Sequence, residues 1–157
     1  RVNIMKELGE AELKVFVEAV LHYFSLTTRE DAMIRSAYLA EGSPQIFPYL
    51  GLITISGKYH GCVHFSTTAA MMRDLLVCWG ENDTREANML DAIGEVANTI
   101  AGNARRYFGK DLEISVPISM RGASEQIKAA VRARPFVIAI AWRQHEAMVV
   151  VDLAPID

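Results

Sequence analysis

The sequence predicts an α+β fold: two layers, a mainly antiparallel sheet with long helices packed on it. Three observations carry this. Two long stretches show a helical apolar period, one near the start and one in the middle of the chain. The apolar stretches between and after them are short, β-branched and aromatic. Successive strands are separated by turn-sized gaps, so hairpins join them more often than crossover helices do.

Residues 3–25 read as the first helix. Leu13, Phe16, Val17, Val20, Leu21 and Phe24 fall on one stripe, with Glu10, Glu12, Lys14 and Glu18 off it. Thr27-Thr28-Arg29-Glu30-Asp31 is expected to end it. Ala32–Leu39 reads as a strand, and Pro44 and Pro48 bracket a loop. Leu50–Ser56 and Tyr59–Phe65 form a hairpin around Gly57-Lys58. Ser66-Thr67-Thr68 supplies an N-cap for a short helix to about Trp79. Gly80 to Thr84 breaks the chain, and Thr84 or a neighbour is expected to cap a second long helix running to Phe108. Gly109 follows as a left-handed C-terminal residue. Leu112–Ile118 reads as one strand stopped near Pro117. Ser124–Val131 reads equally as a short helix or an ordered loop. Phe136–Trp142 and Ala147–Leu153 form a last hairpin about Arg143-Gln144-His145-Glu146. Phe136, Ile138, Ile140 and Trp142 alternate with Val137, Ala139 and Ala141, so both faces of that strand are apolar and call for cover or an interface.

The 157 residues fit one domain, 1–157, with a substantial core; 51% are hydrophobic and 22% charged. A net charge of -3 without a basic block argues against nucleic acid as a partner. No apolar run approaches the roughly 20 residues that cross a bilayer, so no membrane role is expected. The chain starts at Arg1, so its natural start is read as missing or trimmed; nothing else in it suggests export, and a cytoplasmic location is expected. Cys62 and Cys78 form no C-x-x-C and read as reduced, half-buried core residues. There is no G-x-S-x-G elbow and no glycine-rich phosphate loop. The seven methionines read as core filler. His22 and His145 read as helix-face and turn residues.

The chemistry concentrates in one run, Asp91-x3-Glu95-x2-Asn98, on the second long helix. Leu90, Ile93, Ala97, Ile100, Ala101, Ala104 and Phe108 form its packing stripe. Asp91, Glu95, Asn98 and Gly102 fall elsewhere: Glu95 and Asn98 are i, i+3 neighbours, and Gly102 lies one helical repeat beyond Glu95. The run carries local penalties. Gly94 and Gly102 each cost about 1 kcal/mol relative to alanine. Asp91 and Glu95 are like charges at i, i+4. A face selected for helix stability alone would carry Glu/Lys pairs and alanine, so uncompensated rule-breaking points to a site. The ordinary reading is a solvated polar face. His60, Cys62 and His64 also share one face of a strand, but His60 and His64 are too far apart to grip one metal and no fourth ligand is evident. They read as half-buried sheet residues, with no metal site.

The run Asp91-x3-Glu95-x2-Asn98 followed by Gly102-Asn103-Ala104, with the order of elements around it, resembles the CheC/CheX/FliY phosphatases of bacterial chemotaxis. Their signature is Asp or Ser, three residues, Glu, two residues, Asn. A second E-x-x-N on the first helix is missing: Glu10, Glu12 and Glu18 are followed three residues on by Leu13, Val15 and Leu21. This points to the CheX-like branch with one site. The family's proline, some twenty residues after the Asn, is not cleanly matched, since Pro117 comes earlier and Pro135 later. The resemblance implies a phosphatase acting on the aspartyl phosphate of a CheY-like response regulator. It implies Asn98 as the residue that orients water and Glu95 as the residue that docks the regulator's lysine. Gly102 and Ala101 would keep the helix slim against the partner, and Asp91 would be peripheral. It implies no cofactor of the chain's own, with Mg²⁺ on the partner, and a homodimer. The alternative is a domain of the same fold that binds a regulator or dimerises without hydrolysis.

Overall fold

The computed structural model describes residues 8–122 and 134–156. The chain runs α1 (Glu10–Thr28), β1 (Met33–Leu39), β2 (Tyr49–Gly57), β3 (Tyr59–Thr67), α2 (Ala69–Cys78) and α3 (Glu86–Phe108). A 3₁₀ turn follows, then β4 (Leu112–Ile114), β5 (Ile118–Arg121), β6 (Phe136–Trp142) and β7 (His145–Pro155). The seven strands form one sheet in the order β1-β6-β7-β3-β2-β4, with β5 also on β2. Every pairing is antiparallel. The α+β expectation therefore holds, and the reading of Ser124–Val131 lies outside the described residues.

The helices lie on one face. Val63 and Phe65 of β3, Ile138 and Ile140 of β6, and Val149 and Val151 of β7 alternate into the same core as Phe16, Val20 and Phe24 of α1. Phe24 sits 6.0 Å from Trp142 and 6.4 Å from Phe65, ring centre to ring centre. The other face carries a smaller cluster of Ala40, Val137, Met148 and Val150, with Phe47 packed on it. Both faces of β6 are thus covered, the second by the loop that holds Phe47. That loop is tied down where the Phe47 N–H donates to Ser66 Oγ at 3.1 Å.

Several ends differ from expectation. α1 runs three residues past Ser25 because Thr28 Oγ1 donates to the Phe24 carbonyl at 2.7 Å and accepts from Trp142 Nε1 at 3.2 Å. Tertiary bonding, not propensity, sets that end. Thr84 does not cap α3, and the Arg85 side chain at the cap position makes no capping bond. Asp83 shapes the entry instead, its Oδ1 accepting the Arg85 N–H at 3.1 Å. Gly109 has φ 65° but ψ -139°, so it is not left-handed helical. The single strand expected over Leu112–Ile118 is two: β4 pairs with Ser56 and its neighbours, β5 with Tyr49 to Leu52, and Pro117 lies between. The β2–β3 ladder ends at Ile55↔Gly61, and Gly57 (φ 98°) pairs with Leu112 instead, under the Asp111 carbonyl. The last hairpin turns on Arg143 and Gln144 alone; His145 already lies in β7.

α3 lies very close to β2. A Cβ on Gly51 would enter the space of the Ile93 backbone carbonyl, and neither backbone can yield without shifting a whole element. Gly51→Ala is therefore expected to cost about 1–3 kcal/mol through overpacking. A urea midpoint equal to that of the parent would show that this contact does not set the helix-to-sheet spacing.

His64 is 1% exposed on the outer face, opposite Val150, and its Nδ1 has no hydrogen-bond partner among the described residues. Burial pushes its pKa down to about 4. The imidazole is then neutral in the fold, while the unfolded chain takes a proton near pH 6.5. Stability from this residue is complete above about pH 6.5 and falls as pH drops toward about 4, by of order 3 kcal/mol. His64→Gln is expected to flatten the acid limb of a stability–pH curve; equal limbs would refute this.

Candidate functional site

α3 is buried against three neighbours. Ile93, Val96, Ala97 and Ile100 are fully buried, and Ala101 and Ala104 with them. α1 runs antiparallel beside it: Phe16 meets Phe108 at 5.8 Å between ring centres, and Asn103 Nδ2 donates to the Ala19 carbonyl at 3.3 Å. α2 and the sheet close two further sides. The packing arc is wider than the stripe read from the sequence: Met89, Ala92 and Val96 are buried, while Leu90 is only partly so.

What remains outside is the expected face. Asp91 and Glu95 are exposed, and Asn98 and Gly102 are half-buried. Glu95 and Asn98 thus come together one turn apart, with Gly102 the next turn on and Asp91 a turn before. Among the described residues neither the Glu95 carboxylate nor the Asn98 carboxamide is engaged in a hydrogen bond or ion pair. Glu95 is held through its backbone, whose carbonyl accepts from Thr99 Oγ1 at 2.8 Å. A carboxamide with both its oxygen and its NH₂ free can accept and donate at once. A carboxylate one turn away offers a single negative charge to a cation.

The two glycines have different reasons. A Cβ on Gly102 would meet nothing within 4 Å, so its bareness serves no contact inside the chain. Gly94 was expected to be part of the uncompensated face, and this is corrected: a Cβ there would stand 2.7 Å from Ser119 Oγ and 3.3 Å from Pro117 Cβ. Its helix penalty is offset by close packing against the β4–β5 segment. Ala101 is fully buried, as its place in the packing stripe predicts, so the slimming role that the resemblance implied for it falls to Gly102 alone.

Tyr23 is 2% exposed, and its hydroxyl lies beside the Trp79 indole N–H; these two groups have no other hydrogen-bond partner among the described residues. Burial holds the Tyr23 phenol above its usual range, and the Glu95 charge adds to that. Beyond Gly102 the face opens into a groove of about 400 Å³ lined by Gly102, Arg105, Arg106, Gly109 and Lys110. The sequence reading passed over these cations. Their signal was available, since Arg105 and Arg106 follow Asn98 by seven and eight residues, two helical turns.

The other candidates are placed elsewhere. His60, Cys62 and His64 stand on the outer face of β3, and no three His, Cys, Asp or Glu side chains gather for a metal ion among the described residues. Cys62 and Cys78 form no disulfide among the described residues, and both are half-buried. His22 is exposed on α1. His145, read as a turn residue, is corrected: it is buried at the start of β7, with Nε2 2.6 Å from Asp74 Oδ2 on α2. No helix among the described residues is long and apolar enough to cross a membrane.

Comparison with known proteins places the fold. Solved structures share the fold over nearly their whole length. The chemotaxis protein CheX from Vibrio vulnificus is 15% identical with a TM-score of 0.76, covering 91% of this chain and 99% of its own. A CheX from Desulfovibrio desulfuricans is 19% identical with a TM-score of 0.77, covering 89% and 97%. The Borrelia burgdorferi CheX, solved as a CheX-CheY-BeF3-Mg²⁺ complex, is 14% identical with a TM-score of 0.70, covering 93% and 98%. No curated protein matches the chain. Residues 49–141, which hold β2, β3, α2, all of α3 and most of β6, match the family described as chemotaxis phosphatase CheX. The uncommitted acid–amide face of α3 thus sits inside the matched segment, and the chain belongs to the CheX family of chemotaxis phosphatases.

Proposed function

We propose that the chain accelerates hydrolysis of the aspartyl phosphate of a CheY-like response regulator. Asn98 orients the attacking water, and Glu95 docks the lysine beside the regulator's phosphoryl group. The observation that carries this is the pair of uncommitted polar groups one turn apart on the outward side of a helix that is otherwise packed on three sides. Family membership and the relative solved with CheY, BeF3 and Mg²⁺ support it.

An acyl phosphate is labile, and phosphoryl transfer asks a protein for alignment and charge placement more than for a covalent step. The slow element is a water in line with the leaving carboxylate. Asn98 supplies a fixed acceptor and donor that do not titrate, so the water is held without a base that would itself be protonated. A carboxylate at the same position would repel the phosphoryl oxygens. Glu95, one turn away, meets a cation there by a charge-assisted contact of about 1.5–3 kcal/mol. Gly102 leaves the next turn bare, so the partner's backbone can approach the helix. Asp91 stands at the edge of the contact. The divalent ion that neutralises phosphoryl charge belongs to the regulator. The same reading carries a cytoplasmic location and a homodimer, the latter to be read by sedimentation velocity.

Asn98→Ala is expected to abolish the acceleration of phosphate release from a phosphorylated CheY-like regulator while leaving the melting temperature within a few degrees. Full activity in that variant would sink the assignment. Glu95→Lys is expected to weaken the complex by about tenfold or more, as loss of a charge-assisted contact and introduction of a like charge require; unchanged affinity would remove Glu95 from the interface. Sub-stoichiometric chain is expected to release many equivalents of phosphate. Release that stops at one equivalent or none would leave only the binding alternative.

A further inference from the structure

The outward face of α3 does not stop at the acid–amide pair. It runs on into the groove of Gly102, Arg105, Arg106, Gly109 and Lys110, open to solvent and about 400 Å³ in volume. Basic residues in a last helical turn have an ordinary explanation, since they complement the helix dipole by about 0.3–1 kcal/mol each. That explains the sign of the charge. It does not explain the arrangement. The Arg105 guanidinium is fixed where its Nε donates to the Leu112 carbonyl at 3.1 Å, so it forms a wall and not a loose end. Arg106 and Lys110 are exposed and, like Lys14, Arg29 and Arg73, meet no carboxylate among the described residues. The cations Arg35, Lys58, Arg85, Arg121 and Arg143 each do. Gly102 leaves empty the space that any other side chain would fill.

The charge along α3 is also ordered. Glu86, Asp91 and Glu95 occupy the first half, and Arg105, Arg106 and Lys110 the end and the residues just beyond. Asn98 stands between the two poles. From Glu95 to Arg106 the helix rises about 16 Å, which is the scale of one side of a protein–protein contact and not of a small-molecule site.

We propose that this groove is a second anchor of the docking face, receiving acidic side chains on the rim of the partner regulator, and that the opposed poles of α3 set the orientation in which the regulator sits over Asn98. The inference rests on the phosphatase reading above. A regulator docked the correct way brings a cation to Glu95 and carboxylates to Arg106 and Lys110. Docked the reverse way, it sets like charges against each other at both ends, which disfavours that pose. Orientation matters because a water held by one carboxamide is useful only when the phosphorus lies in line with it.

The test is a titration of a CheY-like regulator carrying beryllofluoride and Mg²⁺ into the full chain at several salt concentrations, beside the phosphate-release assay. The double reversal Arg106→Glu with Lys110→Glu is expected to raise Kd by about tenfold or more and to flatten its salt dependence, since two screened attractions are lost. Arg35→Glu, the same kind of charge change on the edge strand β1, is expected to leave Kd within about twofold. Both substitutions are on exposed side chains, and a melting curve checks the fold. A double variant with parental Kd and salt slope, against a parent chain that binds and releases phosphate, overturns the groove and spares the phosphatase reading. A parent chain that neither binds nor releases phosphate overturns both.

Discussion

The closeness of α3 to β2 is the constraint on which the site depends. Gly51 removes the one side chain that would hold the Ile93 carbonyl off the sheet, and Gly94, the residue after Ile93, does the same against Pro117 and Ser119. A helix seated this deeply buries Ile93, Val96, Ala97 and Ile100 completely. With α1 and α2 packed along its sides, the outward strip left to solvent is narrow. Glu95 and Asn98 stand on it because they are the residues left over once three packing surfaces have been filled. A looser helix could rotate, and the angle between carboxylate and carboxamide would no longer be set.

Several polar side chains elsewhere hold the elements together. Thr28 joins the end of α1 to Trp142, and Arg143 lies over that indole at 4.5 Å while gripping Glu30. Tyr59 donates to Glu12, Tyr49 donates to Glu86, and His145 holds Asp74. The Glu95 carboxylate and Asn98 carboxamide take no part in such bonds. Their desolvation is left for a partner to complete, which is the condition under which charge-assisted contacts gain most.

Periodicity made α1, α3 and both central hairpins legible, because a stripe or an alternation survives any detail of packing. The signature residues were legible for the same reason: i, i+3 neighbours share a helix face wherever the helix lies. Boundaries set by remote partners were not. The extension of α1 to Thr28 depends on an indole 114 residues away. The split of Leu112–Ile118 depends on two separate registers along β2. His145 resembled a turn residue until β7 began two places earlier and brought it to Asp74. Gly94 looked like a functional concession because its compensation, Pro117, is distant in sequence.

By itself the sequence determined the fold class, the faces of the long helices and the identity of the acid–amide pair, since these follow from local spacing and residue chemistry. Only the tertiary structure decided which glycine is structural and which leaves open space, and that the cations after Gly102 line a groove beyond the pair. The physical reason is that close packing joins residues far apart in the chain, and a helix's own period cannot say what fills the space beside it.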